Sequence, residues 1–418
     1  MRPVGFYPGE ILLPRCDLSR WSVVACDQFT SQPEYWEEVE RIAGDAPSAY
    51  RMIFPEAYLE TVDFDEKITS VNQTMQDYLD QGLFTAYPGA MIYVERTLLD
   101  GSVRRGILGL LDLEEYDYRK GSDSLVRATE GTVLERIPPR VRIREHAPLE
   151  TPHILVLIDD PEKTVVEPIR KKTPEMEKLY DFELMQGGGN IRGWLIGEAE
   201  QKRISGALGA LADPEVFARK YGTPDAPLLL YAVGDGNHSL ATAKECWTRL
   251  KERLTPEEAA IHPARYALVE LGNLHDDSLK FEAIHRVVFG VEEEAFLAAL
   301  REYAASRAGN GTEQTVTVVT ASREEALPIP HPDRTLAVGS IQTFLDDYLA
   351  GRGGRVDYIH GEDVVRSLAE KGAVGILLPV IEKNDLFRTV ILEGALPRKT
   401  FSMGEAPEKR YYLECRKI

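Results

Sequence analysis

Cysteine is scarce in this chain: four in 418 residues, at positions 16, 26, 246 and 415, with no Cys-x-x-Cys pair. That excludes a disulfide framework and a zinc ribbon, and it suits a reducing compartment. Positive charge is short as well. Lys and Arg number 49 against 68 Asp and Glu, a formal charge of −19, which argues against non-specific nucleic-acid binding and against adhesion to anionic membranes. No run approaches the ~20 apolar residues of a membrane helix. The start, Met1-Arg-Pro-Val-Gly-Phe-Tyr-Pro-Gly-Glu10, carries no apolar signal segment. The expectation is a soluble, cytoplasmic protein. Repeats and low-complexity tracts are missing too. With 43% hydrophobic and 28% charged residues, the chain has ample core for one large domain or a few smaller ones.

What the chain does have is one dense turn. Leu228-Leu-Leu-Tyr-Ala-Val233 is an apolar run of strand length that stops at Gly234-Asp235-Gly236. Leu240, Ala243, Trp247, Leu250 and Leu254 then recur at helical spacing, so the pattern predicts strand, tight turn, helix. The two glycines, Gly234 and Gly236, let the backbone turn sharply and let a ligand approach the main chain. The first N–H groups of the following helix, with its dipole, favour an anion such as phosphate. A plain turn needs neither the carboxylate of Asp235 nor the imidazole of His238, and this weighs toward a functional site. The Gly-Lys-Ser/Thr ending of a phosphate-binding P-loop is absent, and no third glycine completes a dinucleotide fingerprint.

Along the chain, Ser22 to Cys26 reads as a short buried strand ending at Asp27, which is a turn residue unless a site recruits it. Ile68, Val71, Met75, Tyr78 and Leu79 mark an amphipathic helix closed by Gly82. Strands over 91–96 and 103–111 flank Asp100-Gly101 as a hairpin. The polar stretch holding Arg127, Thr129 and Glu130 runs into Arg136, Arg140, Arg142 and Arg144. This cluster is either a solvated basic face or an anion site, and Glu130 is a candidate base. His153 opens another buried strand, and Thr173-Pro174-Glu175 signals a helix start. Gly187, Gly188 and Gly189, followed by Asn190, form a flexible linker or a loop that hugs a ligand. Asp213-Pro214 and Thr255-Pro256-Glu257-Glu258 start further helices. His275 and Asp276 read as loop residues, whereas His285 and Arg286 suit an anion better than a metal. Past residue 290 the texture is that of a separate α/β layer, ending in a polar stretch with Lys399 and a last strand over 411–415. The expected class is α/β, mixed α+β, with one region over 1–290 and a C-terminal α/β region over 291–418 that closes the site.

Arg127-Ala-Thr-Glu-Gly-Thr132, the triple glycine, Gly234-Asp-Gly-Asn-His-Ser-Leu-Ala-Thr-Ala-Lys244, Ile284-His-Arg286 and Pro397-Arg-Lys-Thr-Phe401 together resemble the domain-of-unknown-function family 1015 over nearly the whole chain. That family's central motif, usually Asp-Gly-His-His-Arg, is similar to the motif of free serine kinases on the ParB/sulfiredoxin fold. There a strand–turn–helix holds nucleotide phosphates and a glutamate activates the serine hydroxyl. In this chain Asn237 replaces the first His and Ser239 the Arg, so phosphate binding must lean on backbone N–H groups, Ser239 or a cation from elsewhere. The resemblance implies a ParB/sulfiredoxin-like core and a phosphotransferase acting between ATP or ADP and a hydroxyl compound, with serine or phosphoserine as partner and Mg²⁺ as cofactor. Asp235 is then the metal ligand or the base, Glu130 the alternative base, and His238 with the backbone of Gly236, Asn237 and Ser239 the phosphate holder. Arg127, Thr129, His285, Arg286 and Lys399 are further substrate or phosphate contacts, covered by the loop from Gly187 to Asn190. A metal-assisted phosphomonoester hydrolase and a non-catalytic nucleotide-binding regulator are the alternatives. Small molecules are the expected partners, not nucleic acid or membrane, and a homo-oligomer is compatible with the sequence.

Overall fold

The computed structural model describes residues 4–59, 61–131 and 137–418; Thr132 and Arg136, counted above, lie outside the described residues. The chain divides into two compact units: Met1–Ala128 with Thr132–Leu279 and Glu405–Ile418, and Thr129–Gly131 with Lys280–Gly404. This division departs from the expected one. The boundary falls before the strand that carries His285, and the C-terminal segment rejoins the first unit instead of finishing the second.

The first unit is built on a ten-stranded mixed sheet. Lys178–Glu183, Asn190–Leu195, Ile92–Thr97, Val103–Asp112 and Tyr266–Asn273 follow one another antiparallel. Leu155–Ile158 lies parallel to the last of these, then Tyr231–Asp235 antiparallel, then Val126–Ala128 and Tyr116–Asp117 parallel. Neighbouring residues on a strand point to opposite faces, so a continuous apolar run fills two cores at once. Val269 and Leu271 enter one cluster with Val156, Tyr231, Leu240 and Trp247. Leu268 enters the other, with Trp21, Trp36, Val94 and Tyr411.

Local signals set most of the helices. Asp63 caps Phe64–Asp80, which buries Val71, Met75 and Tyr78. Asp213 caps Pro214–Tyr221, and Thr255 with Glu258 closes a capping box on Pro256–Ile261. The expected helix at Thr173 does not form. A 3-10 run, Glu167–Glu175, ends there, and Met176 turns the chain into the strand Lys178–Glu183. Pairing overrides the cap signal at that point: Tyr180 is buried against Gly193, whose absent Cβ would sit 2.1 Å from the ring carbon Cζ. The expected last strand is split into Tyr411–Tyr412 and Arg416–Lys417.

The second unit holds a six-stranded antiparallel sheet ordered Glu324–Ile329, Gln314–Val319, Val374–Leu377, Phe281–Phe289, Arg355–His360, with Phe401–Met403 also pairing Phe281–Phe289. Helices Glu293–Ser306, Ala337–Leu349, Glu362–Ala369 and Lys383–Glu393 belong to it. Among the described residues of either unit, no helix is long and apolar enough to cross a membrane.

Candidate functional site

The predicted strand–turn–helix is present. Tyr231–Asp235 leads through Gly236 into the helix Asn237–Lys251. Gly236 is demanded twice: its φ of 77° is left-handed, and a Cβ there would lie 3.0 Å from Ile154 Cα. It supplies no side-chain oxygen to the N–H groups of the first helical turn. Asp235, Asn237, His238 and Ser239 are each half-buried. Asp235 Oδ1 accepts the Gly236 N–H at 2.9 Å, and its Oδ2 lies 3.4 Å from Lys409 Nζ. His238 offers its carbonyl to the Thr242 hydroxyl at 2.7 Å, an ordinary helical contact.

Beside this turn lies a polar group that sequence reading did not assemble. Ser239 Oγ is 3.4 Å from His153 Nε2, and Asp27 Oδ2 is 3.8 Å from the same nitrogen. On the far side of the ring, His153 Nδ1 meets the Tyr412 hydroxyl at 3.0 Å. That hydroxyl donates to Cys26 Sγ at 3.1 Å and accepts the Cys26 N–H at 3.1 Å. Burial holds the Tyr412 phenol well above its usual range and pushes the Cys26 thiol up to about 11, so both stay protonated near neutrality. The Tyr412 hydroxyl thus occupies the Nδ1 side of the ring, and Nε2 faces Ser239 and Asp27. Burial raises the Asp27 carboxyl, but His153, the Gln28 amide and Lys409 together outweigh it and hold the group below the usual carboxylate range.

The C-terminal segment brings these side chains in. Arg410 is buried between Glu270 and Glu414 at 2.5 Å each, Arg416 binds Glu150 Oε1 at 2.8 Å, and Arg96 donates to the carbonyls of Pro407 and Lys409. Lys409 and Tyr412 are thereby fixed next to a turn far away in sequence. No local pattern announces them. Asp27 was visible as a strand-end carboxylate, and His153 as a strand opener.

Other predicted contacts have structural work. The carbonyl of Gly188 accepts from Arg96 Nε at 3.0 Å and Nη2 at 2.7 Å. A Cβ on Gly189 would lie 2.0 Å from the Thr97 carbonyl oxygen, and one on Gly188 2.6 Å from the Tyr411 hydroxyl. Gly188 and Gly189 therefore close a hairpin by close packing, whereas Gly187, at φ 74°, would place a Cβ no nearer than 3.9 Å to any neighbour, and Asn190 begins the second strand with its amide on Glu183 at 3.1 Å. Arg127 is buried, with Nε on the Ser124 carbonyl at 2.9 Å and Nη2 on that of Pro227 at 2.8 Å. Arg140, Arg142 and Arg144 pair with Glu56, Asp65 and Glu150. His275 holds Asp159 Oδ1 at 2.7 Å, and Asp276 takes the Ser278 N–H at 2.8 Å.

Thr129, Glu130, His285, Arg286 and Lys399 belong to the second unit. The Leu396 N–H donates to the Thr129 carbonyl at 2.7 Å, and Glu130 forms a bridge with Leu396. Arg286 is fully buried. It donates to Gln342 Oε1 at 3.1 Å and to the carbonyls of Ile284, Lys399 and Arg398 at 2.7, 2.9 and 3.1 Å, with its guanidinium 4.6 Å over the Tyr358 ring. His285 Nδ1 accepts the Leu378 N–H at 3.1 Å, and burial holds the imidazole below its ordinary value, so it is neutral at pH 7. The anion contacts expected of Arg286 and His285 are replaced by these internal ones. Lys399 contributes its backbone, at φ 55°.

Among the described residues, no group of three or more His, Cys, Asp or Glu is placed to hold a metal ion. The Asp235 carboxylate, expected to bind one, faces an ammonium instead. The chemistry on hand is an anion-favouring helix start, a lysine, and a hydroxyl–imidazole pair. No curated protein matches the chain. SbnI with C-terminal truncation from Staphylococcus aureus is similar in structure at 12% identity and a TM-score of 0.35, over 71% of this chain and 83% of that one. A conserved hypothetical protein from Pyrococcus furiosus is similar at 11% identity and a TM-score of 0.32, over 74% of this chain and 94% of that one. The family model "Protein of unknown function (DUF1015)" matches residues 8–348, and the chain belongs to that family.

Proposed function

We propose that this chain is a cytoplasmic small-molecule phosphotransferase that moves a phosphoryl group between a nucleotide, ATP or ADP, and a hydroxyl compound of the serine class. The observation that carries the reading is the turn at residues 234–239. A left-handed Gly236 opens a long helix without a side-chain cap, beside Lys409 and His153. Phosphoryl transfer asks a protein mainly for positioning and for charge stabilisation. The first-turn N–H groups and the helix dipole supply one part, and the Lys409 ammonium the other. On this reading the strand–turn–helix plays the part it plays in free serine kinases of the ParB/sulfiredoxin fold.

Magnesium would come with the nucleotide and supply charge neutralisation at the phosphates, which needs no all-protein cage. Asp235 then acts by holding Lys409 at the turn and by fixing the Gly236 N–H. Phosphorus NMR of the protein with MgATP and serine tests the reading: ADP and a phosphomonoester should appear, and phosphoserine with MgADP should run the reverse. Inorganic phosphate as the sole product would make the protein a hydrolase. Tight nucleotide binding without turnover over a panel of hydroxyl compounds would make it a regulator, and either result removes the transferase reading.

A further inference from the structure

We propose that Ser239 is itself a phosphoryl acceptor, so that transfer runs through a phosphoserine on the protein. The inference rests on the phosphotransferase reading and deepens it. A serine nucleophile needs a base within hydrogen-bond reach and a third group that orients the base. Ser239 Oγ stands 3.4 Å from His153 Nε2, and Tyr412 holds the opposite nitrogen at 3.0 Å. The Tyr412 oxygen is tied in turn to the Cys26 N–H and thiol, which fixes the position of the ring. Asp27, 3.8 Å from Nε2, is placed to stabilise the imidazolium that forms. Ser239 is also the third residue of the helix Asn237–Lys251, where a phosphoryl dianion is favoured by the dipole.

In the first half-reaction His153 Nε2 takes the Ser239 hydroxyl proton while Oγ bonds to the γ-phosphorus. The bond from that phosphorus to the β–γ bridging oxygen breaks, and ADP leaves with the electron pair. The imidazolium then releases its proton to solvent. In the second half-reaction His153 takes the proton of the acceptor hydroxyl, whose oxygen attacks the phosphorus. Ser239 leaves and recovers that proton from His153. The sum is ATP plus alcohol giving ADP, phosphate ester and one proton.

The test uses the full-length protein with MgATP and no acceptor. Isotope-labelled ADP should exchange into ATP, and peptide mass spectrometry should find a phosphoryl group on Ser239. Ser239→Ala should abolish both with its melting temperature unchanged. His153→Gln should slow exchange by ~10²–10⁴-fold, and Ser239→Thr, which keeps a hydroxyl, should retain part of it should the alanine variant fold poorly. Transfer to serine without exchange, at an undiminished rate in Ser239→Ala, would overturn the inference and leave the transferase reading standing. Fluorophosphonate labelling of Ser239 in a protein that turns over no nucleotide would overturn both and point to acyl transfer.

Discussion

On the proposed reading, anion recognition turns most directly on Lys409. Its ammonium lies 3.4 Å from Asp235 Oδ2, and its charge also reaches Asp27. The side chain is 16% exposed, so a ligand phosphate would meet a cation already partly stripped of water. A hydrogen bond to a charged group contributes ~1.5–3 kcal/mol. Lys409→Met should therefore weaken MgATP binding by about 10–150-fold in calorimetric titration, while Lys409→Arg keeps most of the affinity. Partly exposed pairs add at most about 1 kcal/mol to stability, so the melting temperature should move little. Unchanged affinity in Lys409→Met would reduce the residue to a counterion for Asp235. The same residue shows where sequence reading ends. Asp235, Gly236, His238 and Ser239 were legible because they are contiguous and sit where the apolar period changes. The pairing of His153 with Ser239 and with Tyr412 was not, since the fold brings these partners together across separations of 86 and 259 residues.

The hairpin Lys178–Glu183 to Asn190–Leu195 gives the clearest lesson among the elements. Its triple glycine reads equally well as a ligand cover or as a steric necessity, because a missing side chain does not say what fills its place. The fold puts the Thr97 carbonyl, the Tyr411 hydroxyl and the guanidinium of Arg96 there. Strongly capped helices such as Pro256–Ile261 were legible, since their signals are local. At Thr173 an equally good cap signal lost to the pairing of the strand that follows. Gly189 separates the two roles of the loop. Its φ of 78° costs an L-residue roughly 1–2 kcal/mol, and its Cβ position is 2.0 Å from a carbonyl oxygen. Gly189→Ala should lower the unfolding free energy measured in urea by at least roughly 1–2 kcal/mol and loosen the amides of Asn190–Leu195 in hydrogen exchange. A variant as stable as the parent but poorer in nucleotide binding would restore the ligand-covering role.

A chain of two units need not unfold in one step, and a buried histidine offers a way to perturb the second unit selectively. His285 lies in the middle of Phe281–Phe289, accepts the Leu378 N–H, and is 5% exposed. Burial lowers its pKa most. Glu362 opposes this, while Arg286, His360 and Arg366 lower it further. In the unfolded chain the same imidazole titrates near ~6.5. Between that value and the lower folded one the unfolded state binds more protons, so stability falls as pH falls. Above ~6.5 both states are neutral and the contribution is flat; below the folded pKa both are charged and the loss levels off. Chemical denaturation between about pH 7 and pH 5 should therefore destabilise the second unit. His285→Asn, which keeps an acceptor for the Leu378 N–H and removes the titration, should show a shallower slope whatever its absolute stability. Hydrogen exchange should place the difference in Phe281–Phe289 and Val374–Leu377 rather than in the Tyr231–Asp235 strand. Equal slopes in the two proteins would mean that His285 is protonated in the folded state as readily as in the unfolded one, and that its burial does not keep it neutral.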